Sequence, residues 1–565
     1  MPTKELQVYQ VLAGVFASEE VNTCFALLGD ANMKWASALA EGGCKFVYVR
    51  HEHCAVAAAM AYARTTSKVG VATVTCGPGL TQIMTALPAA VRARIPLVIF
   101  AGEAPVKTPW YNQAIDQKPF VNACGAEYVR LQHQRSMRVQ IRDAFLLATT
   151  QQCPVVVAAP MDLQNERWNE SLEDLPTTRE LTPKFSPPVP DAASLNKAAA
   201  RIDGANRIII IAGLGAVKSD AGPACIQLAG KLGALLATTL PARGLFYQDD
   251  YSIGVAGGFS GTVARCCLQQ ADLIIAVGSS LASHTSDAGK LFSADNVLHI
   301  DLQPRTISQG REAAKYHLCC DAKSGIEALN QVLEQRETSD ERYWRSDTIA
   351  AVIRDTPADD QEFAIEPGLL DPRDVVTVLD DLIPQDWYTV NSSGHCSCFF
   401  AQMNKRPADR FLTIREFGAI GNGLSFAMGV AAARPKEPVV LFDGDGSLLM
   451  HIQELETIIR HNMSIMIVVM NDGAYGSEVH KLRAEGLAEH GAVFGRPNFA
   501  SIAEGYGAAG YTVKMLDDIP ALIEKFNNQC NKVAVSADNS RVSVIDVHVS
   551  DKVVSSVMRR AHLHK

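Results

Sequence analysis

The stretch Val439–Gly476, VVLFDGDGSLLMHIQELETIIRHNMSIMIVVMNDGAYG, constrains the fold most tightly. Its two short apolar runs, Val439–Asp443 and Ser464–Met470, suit buried parallel strands. Between them Leu448, Leu449, Ile452, Leu455, Ile458 and Ile459 recur at helical spacing. A right-handed strand–helix–strand crossover sets both strands in one direction, so their carboxyl ends lie side by side. Asp445 stands just past the first end and Asp472 just past the second. Two carboxylates therefore converge where open parallel sheets bind ligands, and Gly444 and Gly446 let the backbone close in on a diphosphate. Such a site suits a hard cation bridging the protein to a diphosphate-bearing cofactor. The plainer alternative is two turn aspartates capping neighbouring elements.

The remainder of the chain predicts the same architecture. At 565 residues it is too long for one core, and three domains are expected. Strand candidates Phe46–Val49, Val69–Thr75, Pro96–Ala101 and Pro154–Ala159 alternate with alanine-rich helical stretches and run out in the polar segment Asp174–Asp191. A second set, Arg207–Ala212, Ala271–Val277 and Val297–Asp301, ends at the polar stretch Gln335–Asp371. The expected class is α/β with mostly parallel sheets flanked by helices, in domains at 1–185, 190–335 and 370–565.

A formal net charge of −9 without a basic stripe argues against a nucleic-acid partner. The opening MPTKELQVYQVLAG lacks a charged-then-apolar secretory pattern, and no apolar run reaches membrane-spanning length. The 14 cysteines are scattered, and Cys266-Cys267, Cys319-Cys320 and Cys396/Cys398 lack zinc-ligand spacing with histidines. These features predict reduced thiols in a cytoplasmic protein with no membrane partner.

Gly444-Asp445-Gly446, positions 447 to 470, then Asn471-Asp472, resembles the thiamine-diphosphate signature of acetolactate synthase, pyruvate decarboxylase, benzoylformate decarboxylase and their relatives. That family writes GDG, a similar gap, and usually NN. The resemblance spans essentially the whole chain and implies pyrimidine-binding, central Rossmann-like and diphosphate-binding domains in that order. It implies magnesium held by Asp445, Asp472 and the main-chain carbonyl of Ala474, all oxygen donors. Asp472 replaces the usual Asn and adds a negative charge beside the diphosphate.

KFVYVRHEHCAVAAAMAYART, residues 45–65, resembles the family's RHE block. There Glu52 would share a proton with N1′ of the cofactor's aminopyrimidine ring, which promotes loss of the thiazolium C2 proton. Its ordinary alternative is a helix N-terminal carboxylate favoured by the dipole. REFGAIGNG, residues 415–423, resembles the segment in which the Gly418 carbonyl accepts from the 4′-amino group and Ile420 wedges the cofactor into its bent form. Ser447 matches the residue after GDG that contacts the diphosphate in the family, and the resemblance also implies cofactor binding at Tyr475 and Gly476. NSSGHCS, residues 391–397, places Gly394 and His395 where relatives bind phosphates. The family keeps the Glu and the metal on different subunits, which implies a homodimer or homotetramer with shared sites.

Around the substrate the resemblance is mixed. Asp30 in FALLGDAN and Glu478, six residues past Asp472, match the acids of simple decarboxylases, although turn aspartates and exposed helix glutamates are common. TCGPGLTQ, residues 75–82, resembles a turn near the cofactor. WYNQAIDQ, residues 110–117, resembles a loop carrying a catalytic Gln in carboligases, with Gln113 preferred and Gln117 the alternative. The expectation is carboligation of 2-oxo acids or related carbonyl compounds. Decarboxylation without ligation, or a catalytically weak cofactor-binding regulatory protein, are the alternatives. In the central domain GLGAVK departs from G-x-G-x-x-G at its third glycine, and GSSLASHTSD, residues 278–287, lacks the arginine that FAD-binding relatives carry. A scaffold domain is favoured there over an FAD site.

Overall fold

The computed structural model describes residues 5–184, 186–334, 344–531 and 541–563. Among the described residues three six-stranded sheets follow one another, and every pairing within them is parallel. The first runs, edge to edge, Lys45–Tyr48, Thr23–Ala26, Gly70–Val74, Leu97–Glu103, Pro154–Pro160 and Glu127–Arg130. The third runs Phe411–Thr413, Tyr388–Asn391, Val439–Gly444, Ile465–Asn471, Val542–His548 and Ala509–Val513. Numbered in chain order, both have the sequence 2-1-3-4-6-5. The central sheet, Ser252–Val255, Leu235–Thr238, Ile208–Ala212, Leu273–Val277, Val297–Asp301 and Tyr316–Cys319, has the Rossmann order 3-2-1-4-5-6.

The strands form from continuous apolar runs such as Ile208-Ile209-Ile210-Ile211, buried on both faces because helices cover both sides. The expected strand positions agree with these ranges to within one or two residues. The helix expected between the two signature strands is broken. It runs Asp445–Met450 and resumes at Glu454–Arg460; at the break the His451 backbone leaves the helical region, at φ −136° and ψ 35°, and its ring meets the Gly421 carbonyl. The polar stretch after the central sheet carries a helix, Asp347–Asp355, whose Ile349 and Ile353 pack with Trp344 on the central core. Residues 335–343 of that stretch lie outside the described residues.

One apolar core joins the first and third sheets. Its seam is the alanine-rich helix Glu52–Thr66 against helix Gly423–Ala433. The backbones approach so closely that a Cβ on Gly429 would lie 2.2 Å from the Ala58 carbonyl. That explains the run of small residues. In the central sheet the G-x-G turn serves packing: Gly215 N–H donates to the Gly278 carbonyl at 2.8 Å, and a Cβ on Gly213 would lie 2.3 Å from that same oxygen. The two loops at the central switch point thus fill the crevice with their own backbone. No helix among the described residues is long and apolar enough to cross a membrane.

Candidate active site

In the third sheet the strand order reverses between Tyr388–Asn391 and Val439–Gly444, the place where an open parallel sheet forms a ligand crevice. A cleft opens there, lined by Gly394, His395, Gly444, Asp445, Gly446, Ser447, Asp472, Ala474, Tyr475, Gly476, Ile420 and Glu478. Every sequence-predicted residue of the diphosphate and metal group except Gly418 is in that lining.

Asp445 is the first residue after the strand and is buried. Its Oδ1 accepts from Gly446 N–H and its Oδ2 from Gly473 N–H, both at 2.7 Å. Asp472 follows the neighbouring strand, and its Oδ1 accepts from Ala474 N–H at 3.1 Å. Burial lifts the Asp445 carboxyl to about 7. Burial, then the adjacent Asp445, holds Asp472 well above the usual range. Two carboxylates crowded out of water call for a cation. The Ala474 backbone pairs with Val493 through its neighbours, Tyr475 N–H to Ala492 and Phe494 N–H to Gly473, which leaves the Ala474 carbonyl outside that pairing. An all-oxygen donor set of two carboxylates and one carbonyl fits a magnesium ion.

The glycines are spatial requirements. A Cβ on Gly446 would lie 2.6 Å from the Tyr475 ring, and one on Gly476 would lie 2.6 Å from Asp472 Oδ2 and 3.2 Å from His395 Nδ1. His395 Nε2 accepts from Ser555 N–H at 3.0 Å, so in the neutral ring the proton sits on Nδ1, on the cleft side. Burial, reinforced by His480 beside it, keeps His395 neutral well below its ordinary range. The Ser447 hydroxyl accepts from Gly421 N–H at 2.9 Å and meets Ser392 Oγ at 3.0 Å, so the side chain ties loops together at the cleft. Gly418 lies outside this cleft at φ +73°, on the exposed limb of the loop that delivers Ile420. Glu478 is exposed and pairs with Lys481 one turn on.

The first sheet has its own switch point, between Thr23–Ala26 and Gly70–Val74. Asp30 and the Thr75–Gly77 turn emerge there. Glu52 opens its helix, partly buried, with Oε1 3.5 Å from where a Cβ on Gly79 would stand. Burial raises its pKa, opposed by its own backbone N–H. The two glutamines separate clearly. Gln117 is buried and structural: Oε1 accepts from Gly77 N–H at 3.1 Å and Nε2 donates to the Gly102 carbonyl at 3.1 Å. Gln113 is only partly buried and touches Cys76 Sγ at 3.5 Å. Sequence reasoning passed over Cys76 and Tyr111. Burial, then the nearby Cys76 and Asp30, raise the Tyr111 phenol.

Three family descriptions match in chain order. "Thiamine pyrophosphate enzyme, N-terminal TPP binding domain" covers residues 6–120, "central domain" 195–329, and "C-terminal TPP binding domain" 392–547. Acetolactate synthase isozyme 2 large subunit of Escherichia coli is 28% identical over 529 residues, 90% of this chain and 91% of the relative. Acetolactate synthase 2 of Nicotiana tabacum is 28% identical over 542 residues, 91% and 79% respectively. The acetolactate synthase large subunit of Haemophilus influenzae is 26% identical over 555 residues, 95% of each chain. Three enzyme domains in order set aside the reading as a regulatory protein. With that order and these relatives, the chain belongs to the thiamine-diphosphate enzymes of the acetolactate-synthase-like family.

Proposed function

We propose that this chain is a carboligase of 2-oxo acids or related carbonyl compounds, making or cleaving a carbon–carbon bond next to a carbonyl. The observation that carries this reading is Gln113. It stands at the first-sheet mouth with a side-chain amide free of the locked role taken by Gln117, as a donor for a second carbonyl requires. Relatives named acetolactate synthases match over nearly the whole chain and support it.

When bound, thiamine diphosphate supplies an electron sink next to the reacting carbonyl carbon. The chain's residues do the rest. Asp445, Asp472 and the Ala474 carbonyl would hold magnesium, and Gly444, Gly446, Ser447, Gly394, His395, Tyr475 and Gly476 would line the diphosphate. The Gly418 carbonyl would accept from the amine, with Ile420 beneath the cofactor. Glu52 would hold or give a proton at the ring nitrogen, a role that the burial raising its pKa favours. The site would lie between copies in a homodimer or homotetramer. Supporting this, the third-sheet cleft is lined, among the described residues, by residues between 372 and 553, and Glu52 is not in that lining. Large apolar side chains stand exposed at both carboxyl edges, among them Leu28 and Trp110 on the first and Phe417 and Phe494 on the third.

A second reading, decarboxylation without ligation, draws on Asp30, which follows the strand Thr23–Ala26 at the first-sheet switch point, as the proton donor. A panel of pyruvate, benzoylformate and aldehyde pairs separates the two. Carboligation predicts a hydroxyketone or hydroxy-oxo acid built from two carbonyl molecules. Carbon dioxide and free aldehyde alone would select decarboxylation, and neither product would overturn both.

A further inference from the structure

The segment that carries Glu52 is docked on the third-sheet region of its own chain. Tyr48 N–H donates to His461 Nε2 at 3.0 Å and Arg50 N–H to Glu454 Oε1 at 2.9 Å. Next to Glu52, His53 Nε2 lies 2.6 Å from Asn422 Oδ1. His451, at the helix break, places Nδ1 2.8 Å from the Gly421 carbonyl. The His53 and His451 rings stack, with centroids 4.9 Å apart and planes within 7°, and His51 meets His451 edge-on at 5.1 Å.

The proton positions follow from the partners. A carbonyl only accepts, so His451 carries its proton on Nδ1. Asn422 Nδ2 faces the Ala419 carbonyl, which leaves Oδ1 to accept from His53 Nε2–H. Two neutral imidazoles can stack at this distance, whereas two imidazolium ions would repel. Burial keeps both rings neutral, His53 at about 4. Residue 421 is therefore gripped from both sides. Its N–H goes to Ser447 Oγ and its carbonyl to His451, at a left-handed φ of +87°. Immediately before it is Ile420, in the cleft lining.

We propose that His53 and His451 are positioning residues: by their hydrogen bonds to Asn422 and Gly421 they fix the Gly418–Asn422 loop, and with it Ile420, against the helix that begins at Glu52. The proposal rests on the cofactor-bending role given to Ile420 above. Mere domain packing does not need these contacts. The seam is separately held by Arg50 on Glu456, by Arg460 on the Tyr48 carbonyl and by the Gly429–Ala58 approach, whereas both histidine bonds end on residues 421 and 422.

Two substitutions divide the bracket into its parts. His451→Phe keeps a ring for the stack and removes the donor, and His451→Gln keeps a donor and removes the ring. Amide hydrogen exchange over residues 418–422 is measured on the cofactor-free protein, and C2 proton exchange on bound thiamine diphosphate, with melting temperature as the control. In His451→Phe, loop exchange should speed up and C2 exchange should slow about tenfold, the size of one lost buried hydrogen bond, with melting little changed. His451→Gln should recover most of the loss. Wild-type loop protection in His451→Phe overturns the proposal, as does equal damage in both variants with a parallel fall in melting. Ile420→Ala tells the two readings apart. If it leaves C2 exchange untouched while His451→Phe still loosens the loop, the role of Ile420 fails and the bracket stands.

Discussion

Asp472 is the residue at which this chain parts from the signature it otherwise resembles, and its consequence is electrostatic. Two carboxylates at one metal position repel when empty and attract a divalent ion strongly when both are ionised. Asp472→Asn should fold normally and melt higher without metal, because it removes a charge that burial and Asp445 disfavour. Calorimetry of the cofactor-free variant should show magnesium affinity about tenfold weaker, the ligand charge count setting affinity. Equal affinities in the two proteins would remove Asp472 from the ligand set. Asp445 and Asp472 were singled out by their spacing and their strand–helix–strand context, since an acid at a strand-ending glycine turn is common by itself. The choice between Gln113 and Gln117 was not legible, since only burial distinguishes them. His451 was invisible for another reason: a histidine on a helical apolar pattern announces neither a helix break nor a partner from residues 421–422.

At the scale of elements, the strand–turn–helix that begins Val439–Gly444 buries Asp443 and Asp445 together. Burial lifts both carboxyls from an ordinary 3.8 to about 7. The sign follows directly. Between those values the folded state keeps protons that the unfolded chain has released, so each acid costs stability as pH rises through the window and costs nothing below it. The buried histidines tilt the opposite way, so the clean quantity is the difference between wild type and Asp445→Asn. Without metal, the variant should gain in relative melting temperature between about pH 4 and pH 7 and hold that gain above it. Magnesium should cancel the gain. A difference that is flat with pH would show that Asp445 titrates as an exposed acid. The nine strands named from the sequence lie within a residue or two of their expected places, because parallel strands covered on both faces are continuous apolar runs, whereas nine others in the three six-stranded sheets, Thr23–Ala26 and Val542–His548 among them, were not read. The helix Asp347–Asp355 was hidden by its polar outer face, its few apolar residues covering one patch of the central core.

Over the whole molecule, three sheets in order and two switch points divide the proposed chemistry between the ends of the chain. The α/β class and the three-part layout could be read from alternation alone. How the first and third sheets share one core could not, because the alanine-rich helix that joins them carries no pattern naming its partner. If Glu52 serves a neighbouring copy's metal site, Glu52→Gln and Asp445→Asn homo-oligomers should each be inactive. Mixed and allowed to exchange subunits, they should regain about a quarter of wild-type activity, since half the dimers are mixed and each has one intact site. No recovery in a sample shown to contain mixed dimers would place both residues in one copy's site.

The central claim is that the cofactor is held by its diphosphate through a divalent ion on Asp445 and Asp472. Calorimetric titration of cofactor-stripped protein with thiamine diphosphate tests it most directly. Binding should appear with magnesium, vanish with a chelator, and be lost in Asp445→Asn even with magnesium present. Equally tight binding in the chelated sample, or in Asp445→Asn, would contradict it.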